Sequence, residues 1–452
     1  MIFRSYDIRG VLGESLTPEI AEKIGRAFGS EMHERGERQV IVGRDNRPSS
    51  ESLSESLMSG IRDAGLNTVD IGEVATPMVY HASVTSSNSP AAMITGSHLP
   101  PEHNGFKMTQ GTTPFFGDDI QKLRERIEKE DYTSGKGEHE IDVDAASRYE
   151  GDVAGRFEDA ERRLKIVVDA GNGMAGMFAP TLLRYMRHEV IELYCMSDGT
   201  YPNHPADPFE EENLLDAKGM VLTRDADLAL AFDGDADRMG MVDHRGYAHS
   251  TDRLMIPLVW DILKRNPGAT IVTDSLVSQV LIETIKASGG VPLMWKSGHS
   301  NIKNKMKEVN APFAIETSGH VFIADHYYGY DDGMYTGMRM VELLSRERTA
   351  PLAEIMDSIP KLHTTPQYRP ACPEDKKQAV IDAVREHFSD ADINAIDGVR
   401  VNKPEGWFIV RASNTESKLS LRFEAQDEDA LHTMVGDVEK ILERFAISMT
   451  GQ

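Results

Sequence analysis

The sequence predicts an α/β protein: three similar α/β domains with mixed sheets in tandem, then a smaller C-terminal α+β domain. Three observations carry this reading. Runs of β-branched residues ending in an Asp and a polar turn recur at Gln39-Val-Ile-Val-Gly-Arg-Asp45, Lys165-Ile-Val-Val-Asp-Ala-Gly171 and Thr270-Ile-Val-Thr-Asp-Ser275. A helical pattern follows each run, which is the strand-turn-helix unit of an α/β sheet. Beyond residue 362 the pattern changes to short alternating segments that read as antiparallel strands. The chain has 452 residues. At about 150 residues per domain, length alone gives roughly three domains. The fourth rests on the change of pattern.

Taken in order, the first helix is the most legible element. Thr17 suits the N-cap, Pro18 the first helical position and Glu19 the positive end of the helix dipole. Ile20, Ile24, Ala27 and Phe28 then fall on one face. The polar, Gly-containing stretch Lys129-Glu-Asp-Tyr-Thr-Ser-Gly-Lys-Gly-Glu138 reads as a linker, closing a first domain over residues 1–143. A second domain follows over 144–248. Near His249-Ser-Thr-Asp252 a strand-like hairpin gives way to a helix, which starts a third domain over 249–361. In the fourth, 362–452, strands are expected at Asp397-Gly-Val-Arg-Val-Asn402, Trp407-Phe-Ile-Val-Arg411 and Lys418-Leu-Ser-Leu-Arg-Phe-Glu424. A helix from about Asp427 closes the chain.

The formal net charge of -24 argues against nucleic acid or an anionic membrane as partner, since both need a basic face. Cys195 and Cys372 fit no CxxC pattern, so neither a structural disulfide nor a thiolate zinc site is expected. The N-terminus has no apolar core segment of a signal peptide, and the expected location is cytoplasmic. Oligomeric state stays open.

Four polar loops carry the chemistry, each after an apolar run. In Thr95-Gly-Ser-His98, Gly96 is expected to let the backbone turn and present the Ser97 hydroxyl as a nucleophile at a strand end. His98 and Lys107 are near enough in sequence to assist proton transfer or bind phosphate. In Asp233-Gly-Asp-Ala-Asp-Arg238, an extended backbone would point Asp233, Asp235 and Asp237 to one side. Three like charges there call for a hard cation, Mg²⁺ above all. Arg238 follows to hold a phosphoryl oxygen. The loop is no EF-hand, which needs Gly and Glu where Arg238 and His244 stand. In Glu316-Thr-Ser-Gly-His320, Glu316 and Ser318 suit vicinal sugar hydroxyls, and His320 suits acid/base work near neutral pH. Arg411, Ser413, Asn414 and Thr415 form a turn with the makings of a phosphate nest. One competing motif, Gly171-Asn-Gly-Met-Ala-Gly176, matches GxGxxG, with Glu192 near the spacing of a ribose-binding acid. Asp169 just before it would repel pyrophosphate. The glycines are therefore assigned to a tight turn and close packing, and an NAD-dependent oxidoreductase is the remote alternative.

With these loops in place, the chain resembles the α-D-phosphohexomutase family, and within it the bacterial phosphomannomutase/phosphoglucomutase branch. The resemblance runs nearly end to end. It covers Phe3-Arg-Ser-Tyr-Asp-Ile-Arg-Gly10, Thr95 to Pro100 with Asn104-Gly-Phe-Lys107, Asp233 to Arg238, Trp295-Lys-Ser-Gly-His299, Glu316 to His320, Asp331-Asp-Gly333 and Arg411 to Thr415. It implies four domains around a central cleft and an isomerase of hexose phosphates. Ser97 would carry a phosphoryl group, with Mg²⁺ held by that group and by Asp233, Asp235 and Asp237. Phosphate would pass to a hexose 1-phosphate, giving a hexose 1,6-bisphosphate that turns over in the cleft and also serves as activator. The resemblance further implies acid/base or charge-stabilising roles for Arg9, Lys107 and His320, substrate contacts for Lys296 and His299, and a place in the opening motif for Tyr6. Phosphoglucosamine mutase is the alternative within the family. Leu99, Ala236 and Ile315 depart from the usual Asn, Gly and Gly. None removes a reacting group, and Ala236 requires only that its position avoid positive φ.

Overall fold

A computed structural model describes residues 2–4, 6–413 and 417–449. It contains four sheets. The first runs Ile8–Val11, His103–Gln110, Pro90–Ile94, Gln39–Arg44, Asn67–Glu73, His139–Ile141, with Thr113–Pro114 paired to His103–Gln110. The second runs Met239–Asp243, Leu228–Phe232, Lys165–Asp169, Glu189–Leu193, and the third Val291–Met294, Thr270–Thr273, Phe313–Ile315, Val321–Ile323. Each of these three is mixed. In each, a strand with a parallel neighbour turns back into an antiparallel one: Pro90–Ile94 into His103–Gln110, Leu228–Phe232 into Met239–Asp243, and Phe313–Ile315 into Val321–Ile323. Three of the four chemistry-bearing loops are this same turn in successive domains. The fourth sheet, His363–Thr364, Leu419–Ala425, Gly406–Ala412, Val399–Lys403, Asp392–Asn394, is wholly antiparallel, and Arg411 lies near the end of Gly406–Ala412.

The first helix, Pro18–Glu34, forms as its residues dictate. Thr17 Oγ1 accepts from the Ile20 amide at 3.3 Å, and Ile24, Ala27 and Phe28 are buried. With Ser50–Asp63 it covers one face of the first sheet. Residues from the other face join those of the second and third sheets in one continuous apolar core. The fourth domain has a core of its own, including Val380, Phe408, Phe423 and Val438. It meets the third through a small apolar contact of Leu276, Trp407 and Ile409 and through polar ties. Arg400 Nη1 donates to the carbonyls of Ser275 and Val277 at 2.9 and 2.8 Å, and Arg422 Nη1 to Asp252 Oδ2 at 2.9 Å. Among the described residues no helix is long and apolar enough to cross a membrane.

Two expectations need correction. The 129–138 stretch does not hang free as a linker. The amides of Gly135 and Gly137 donate to the carbonyls of Asp63 and Arg62 at 2.9 and 3.0 Å, and a Cβ on Gly137 would collide with the Leu66 carbonyl. These glycines permit close backbone approach, and the chain runs on into an edge strand, His139–Ile141. The fourth domain also holds a helix, Glu374–His387, that the strand pattern did not reveal.

Candidate active site

Ser97 is buried, with φ 52. Its Oγ donates to Asp233 Oδ2 at 2.9 Å and lies 3.2 Å from His98 Nδ1. The left-handed residue of this loop is thus Ser97 itself. Gly96 is required for a different reason from the one expected: a Cβ there would sit 2.5 Å from the Arg47 guanidinium carbon. Arg47 lies beneath the loop, paired to Asp45 at 3.1 Å.

Asp233, Asp235 and Asp237 are fully buried, and one carboxylate oxygen from each lies within 4.8 Å of the others. The convergence does not come from extended backbone. Residues 233–237 form a turn in which Ala236 takes φ 62, so the expectation that this position avoids positive φ is wrong. Asp235 Oδ2 accepts from Thr76 Oγ1 at 2.6 Å and from Lys107 Nζ at 2.7 Å; Lys107 Nζ also lies 2.5 Å from Asp237 Oδ2. The Oδ1 atoms of Asp235 and Asp237 have no hydrogen-bond partner among the described residues. Such a set of buried carboxylate oxygens fits a hard divalent cation. Arg238 Nε donates to Asp233 Oδ2 at 2.9 Å and Nη1 to the Ser318 carbonyl at 3.2 Å. Burial, aided by Asp237 and Asp235 and opposed by Arg238, pushes the Asp233 carboxyl up to about 7. Burial disfavours charge on Lys107, but Asp235 and Asp237 outweigh it and raise its pKa. For His98, burial and the cations Arg238 and Arg9 act together and hold the ring well below its usual range.

His320 stacks on His299 with ring centres 5.2 Å apart, and its Nδ1 lies 3.0 Å from Asp331 Oδ2. Burial works against its charge, while Asp237 and Asp331 raise its pKa. Glu316 Oε1 accepts from the Gly298 amide at 2.6 Å, and burial raises its pKa. Tyr6 donates to the Ser297 carbonyl at 3.0 Å. Arg411 Nη1 pairs with Asp397 Oδ2 at 3.1 Å.

A cavity of about 250 Å³ brings much of this together: Tyr6, His98, His299, Glu316, Ser318, His320, Arg411 and Ser413 all line it. Arg9 lines an adjoining cavity that shares His98 and Arg369 with the first. Lys296 does not face the main cavity and lines another on the far side of Tyr6. Asn414 and Thr415 lie outside the described residues. Sequence reasoning missed Arg47, Thr76, Asp274, Lys303, Asp331 and Arg369. Asp331 lay in a motif already noted, and Asp274 ends one of the three recurring strands. Burial, with Glu316 beside it, pushes Asp274 up to about 7, and Thr317 Oγ1 donates to it at 2.6 Å. The GxGxxG turn is filled by its own surroundings. The Gly171 amide donates to Asp169 Oδ1 at 3.0 Å, Gly173 abuts Gly234, and Gly176 packs against the Cys195 carbonyl.

The chain is similar to known proteins along nearly its whole length. The alpha/beta/alpha domains I, II and III of phosphoglucomutase/phosphomannomutase match residues 1–134, 149–246 and 250–363, and its C-terminal domain matches 370–441. The chain is 45% identical over 432 residues to a phosphomannomutase/phosphoglucomutase of Pseudomonas aeruginosa, covering 95% of this chain and 93% of the relative. It is 39% identical to a phosphoglucomutase of Neisseria meningitidis, covering 98% and 96%. A crystal structure of a phosphoglucomutase/phosphomannomutase family protein from Burkholderia thailandensis superposes with a TM-score of 0.92 at 39% identity, covering 98% of this chain and 97% of that one. The chain belongs to the phosphoglucomutase/phosphomannomutase family.

Proposed function

We propose that this protein is a phosphohexomutase that moves a phosphoryl group between C1 and C6 of mannose and glucose phosphates, through a phosphorylated Ser97 and a hexose 1,6-bisphosphate. One observation carries the reading. The Ser97 hydroxyl lies 3.2 Å from His98 Nδ1, and His98 lines a cavity that Arg411 and Ser413 of the fourth domain also line. A substrate with phosphate at both ends needs such a pair of sites, one that reacts and one that anchors.

In the forward transfer the bond between phosphorus and Ser97 Oγ breaks, and a bond from phosphorus to the free sugar hydroxyl forms. The hydroxyl gives up its proton as it attacks. His320, with its raised pKa, is the stronger base of the two stacked histidines when neutral. In the return transfer Ser97 is the nucleophile. His98 Nδ1 at 3.2 Å is positioned to take its proton, its ring held uncharged by burial and the nearby cations. Arg238 and Lys107 offset charge on the moving group. A divalent cation such as Mg²⁺, bound by Asp233, Asp235, Asp237 and the phosphorylated serine, would supply further charge neutralisation there. Glu316 and Ser318 read sugar hydroxyls, with Tyr6 and His299 on the same wall. Arg9 and Lys296 line neighbouring cavities that share His98 and Tyr6, respectively, with the main cavity. A trace of hexose 1,6-bisphosphate serves as activator by rephosphorylating Ser97. A reducing compartment such as the cytoplasm suits the two unpaired cysteines.

The test is isomerisation of mannose 1-phosphate and glucose 1-phosphate in parallel, with Mg²⁺ and a trace of glucose 1,6-bisphosphate. Turnover of both is expected. Turnover of neither overturns the reading.

A further inference from the structure

The turn Gly171-Asn-Gly173 joins the strand Lys165–Asp169 to the helix Ala175–Tyr185 and stands directly behind the aspartate loop. The Met174 amide donates to the Gly234 carbonyl at 2.9 Å. A Cβ on Gly173 would lie 2.8 Å from that same oxygen. Gly234, between Asp233 and Asp235, also abuts the Ser97 loop, because a Cβ there would collide with the Ser97 carbonyl oxygen. The turn reaches the other partner too. The Asn172 carbonyl accepts from Asn46 Nδ2 at 2.7 Å, and Asn46 is the neighbour of Arg47 beneath the Ser97 loop. Glycine is needed at 173 and 234 for this close backbone approach.

One ion pair fixes the turn. Asp169 is fully buried, and the oxygen that accepts from the Gly171 amide also lies 3.2 Å from His204 Nε2. His204 Nδ1 lies 2.8 Å from the Pro205 carbonyl oxygen. An imidazole that faces an acceptor at each nitrogen donates from both only as the cation. Burial works against this charge, and the Asp169 carboxylate outweighs it. Asp169 Oδ2 has no hydrogen-bond partner among the described residues, so His204 is what offsets the buried carboxylate. The ring also packs on the turn, with its Cε1 at 3.1 Å from where a Gly171 Cβ would stand.

We infer, on the basis of the phosphoryl transfer proposed above, that His204 and Asp169 are positioning residues: they lock the Gly171-Asn-Gly173 turn and through it set the separation between Ser97 and the Asp233–Asp237 loop. Neither touches substrate. Removing the imidazole leaves Asp169 as an unpaired buried charge, which the turn must relax to relieve. The Met174 amide then moves off Gly234, and the aspartates lose their register against the serine. Displacement of reacting groups by about 1 Å costs on the order of 10²-fold in rate. Arg411 and Ser413 sit on another domain, so substrate affinity should hold.

Mn²⁺, a paramagnetic stand-in for Mg²⁺, reports on the aspartate loop without turnover. Its binding to the full chain is followed by electron paramagnetic resonance, alongside kcat and KM for mannose 1-phosphate and glucose 1-phosphate. In His204→Ala the Mn²⁺ dissociation constant should rise by ~10- to 100-fold, the range for an outer partner of a metal site. kcat should fall by about as much while KM holds. His204→Gln, whose side-chain amide can donate to Asp169, should restore most of both. Gly173→Ala, which pushes on Gly234 with the ion pair intact, should reproduce the loss and decides the matter if His204→Ala does not fold. A folded His204→Ala or Gly173→Ala protein with the parent's Mn²⁺ affinity and kcat would overturn the positioning role and leave the mutase standing. So would a parent that binds no Mn²⁺, because the loop then holds no cation to position. A parent that turns over neither sugar phosphate, with Mn²⁺ binding lost in His204→Ala and regained in His204→Gln, would keep the positioning role and remove the mutase.

Discussion

Arg47 Nη2 donates to the carbonyl oxygen of Ser97 at 2.7 Å. The same guanidinium reaches the carbonyls of Leu99 at 2.7 Å, Pro100 at 2.6 Å and His103 at 3.0 Å, and its Nε pairs with Asp45 at 3.1 Å. One planar, fully buried cation thus satisfies four carbonyls that the loop turns inward. A loop with Ser97 at positive φ has no regular ladder to absorb these groups, and a neutral side chain has no fork of donors to replace them. The Ser97 loop is shaped from below by an arginine that never touches the cavity.

Arg47→Met should therefore cost about 3–5 kcal/mol of stability, the range for breaking a buried charged pair. Arg47→Lys should recover only part of this, because an ammonium cannot match the fork. Denaturant unfolding measures both. Turnover of the folded Lys variant should fall more than its sugar-phosphate affinity, since the loop positions the reacting atom and not the anchored one. Equal stability of Met variant and parent would remove Arg47 from this role.

Ala236 holds a left-handed conformation in which a Cβ costs roughly 1–2 kcal/mol. Ala236→Gly relieves that strain but adds about 0.5–1 kcal/mol of chain entropy to the unfolded state. The expected outcome is a gain of up to about 1 kcal/mol, read as a raised midpoint in thermal unfolding. Ala236→Val, β-branched at the same φ, should destabilise clearly. Gly less stable than Ala here would mean that the buried methyl matters more than the backbone.

Much of this was legible in the residues, and the gaps have physical reasons. Strands ending in Asp and a turn, and the cap of the helix Pro18–Glu34, are local signals, and each formed where expected. The reacting loops were visible because polar groups after an apolar run are unusual. Arg47, Thr76 and Lys303 were not, because their partners lie far along the chain; Thr76 and Asp235 are 159 positions apart. Ala236 was misjudged because nothing in its neighbours' identities reports φ. Glycines at 135 and 137 looked like linker punctuation, since sequence cannot separate a flexible glycine from one pressed against another backbone.

Asp332 ties the second domain to the third. Its carboxylate accepts from the Tyr149 hydroxyl at 2.9 Å and from Tyr327 at 2.7 Å, and it caps the helix Gly333–Leu344 through the Tyr335 amide at 2.8 Å. Burial nevertheless pushes its pKa up to about 6, from a model-compound value of 3.8. A carboxyl with a raised folded-state pKa binds its proton more tightly in the folded state. Its stabilising contribution is complete below about pH 4 and is lost as pH rises toward about 6, an effect on the order of 3 kcal/mol. Asp332→Asn should remove this slope. Unfolding free energies of parent and variant, measured from pH 4 to 7, should converge or diverge across that window. Parallel curves would show that Asp332 does not titrate there.

Ser97→Ala separates chemistry from architecture. The serine contributes one hydrogen bond to Asp233, which keeps its bonds to the Arg238 side chain and amide at 2.9 and 3.1 Å. Stability should therefore fall by only about 1 kcal/mol. The anchoring end of the cavity is unchanged, so hexose 1,6-bisphosphate should still bind. Turnover should fall by at least about 10⁴-fold, as removal of a nucleophile does in other covalent mechanisms. Intact-mass measurement of the unmodified protein after incubation with the bisphosphate should show a single phosphoryl adduct, absent in the variant. A variant that turns over like the parent would exclude a phosphoserine route. One that binds nothing and unfolds early would mean that the Ser97–Asp233 bond holds the two loops together and that the hydroxyl is chiefly structural.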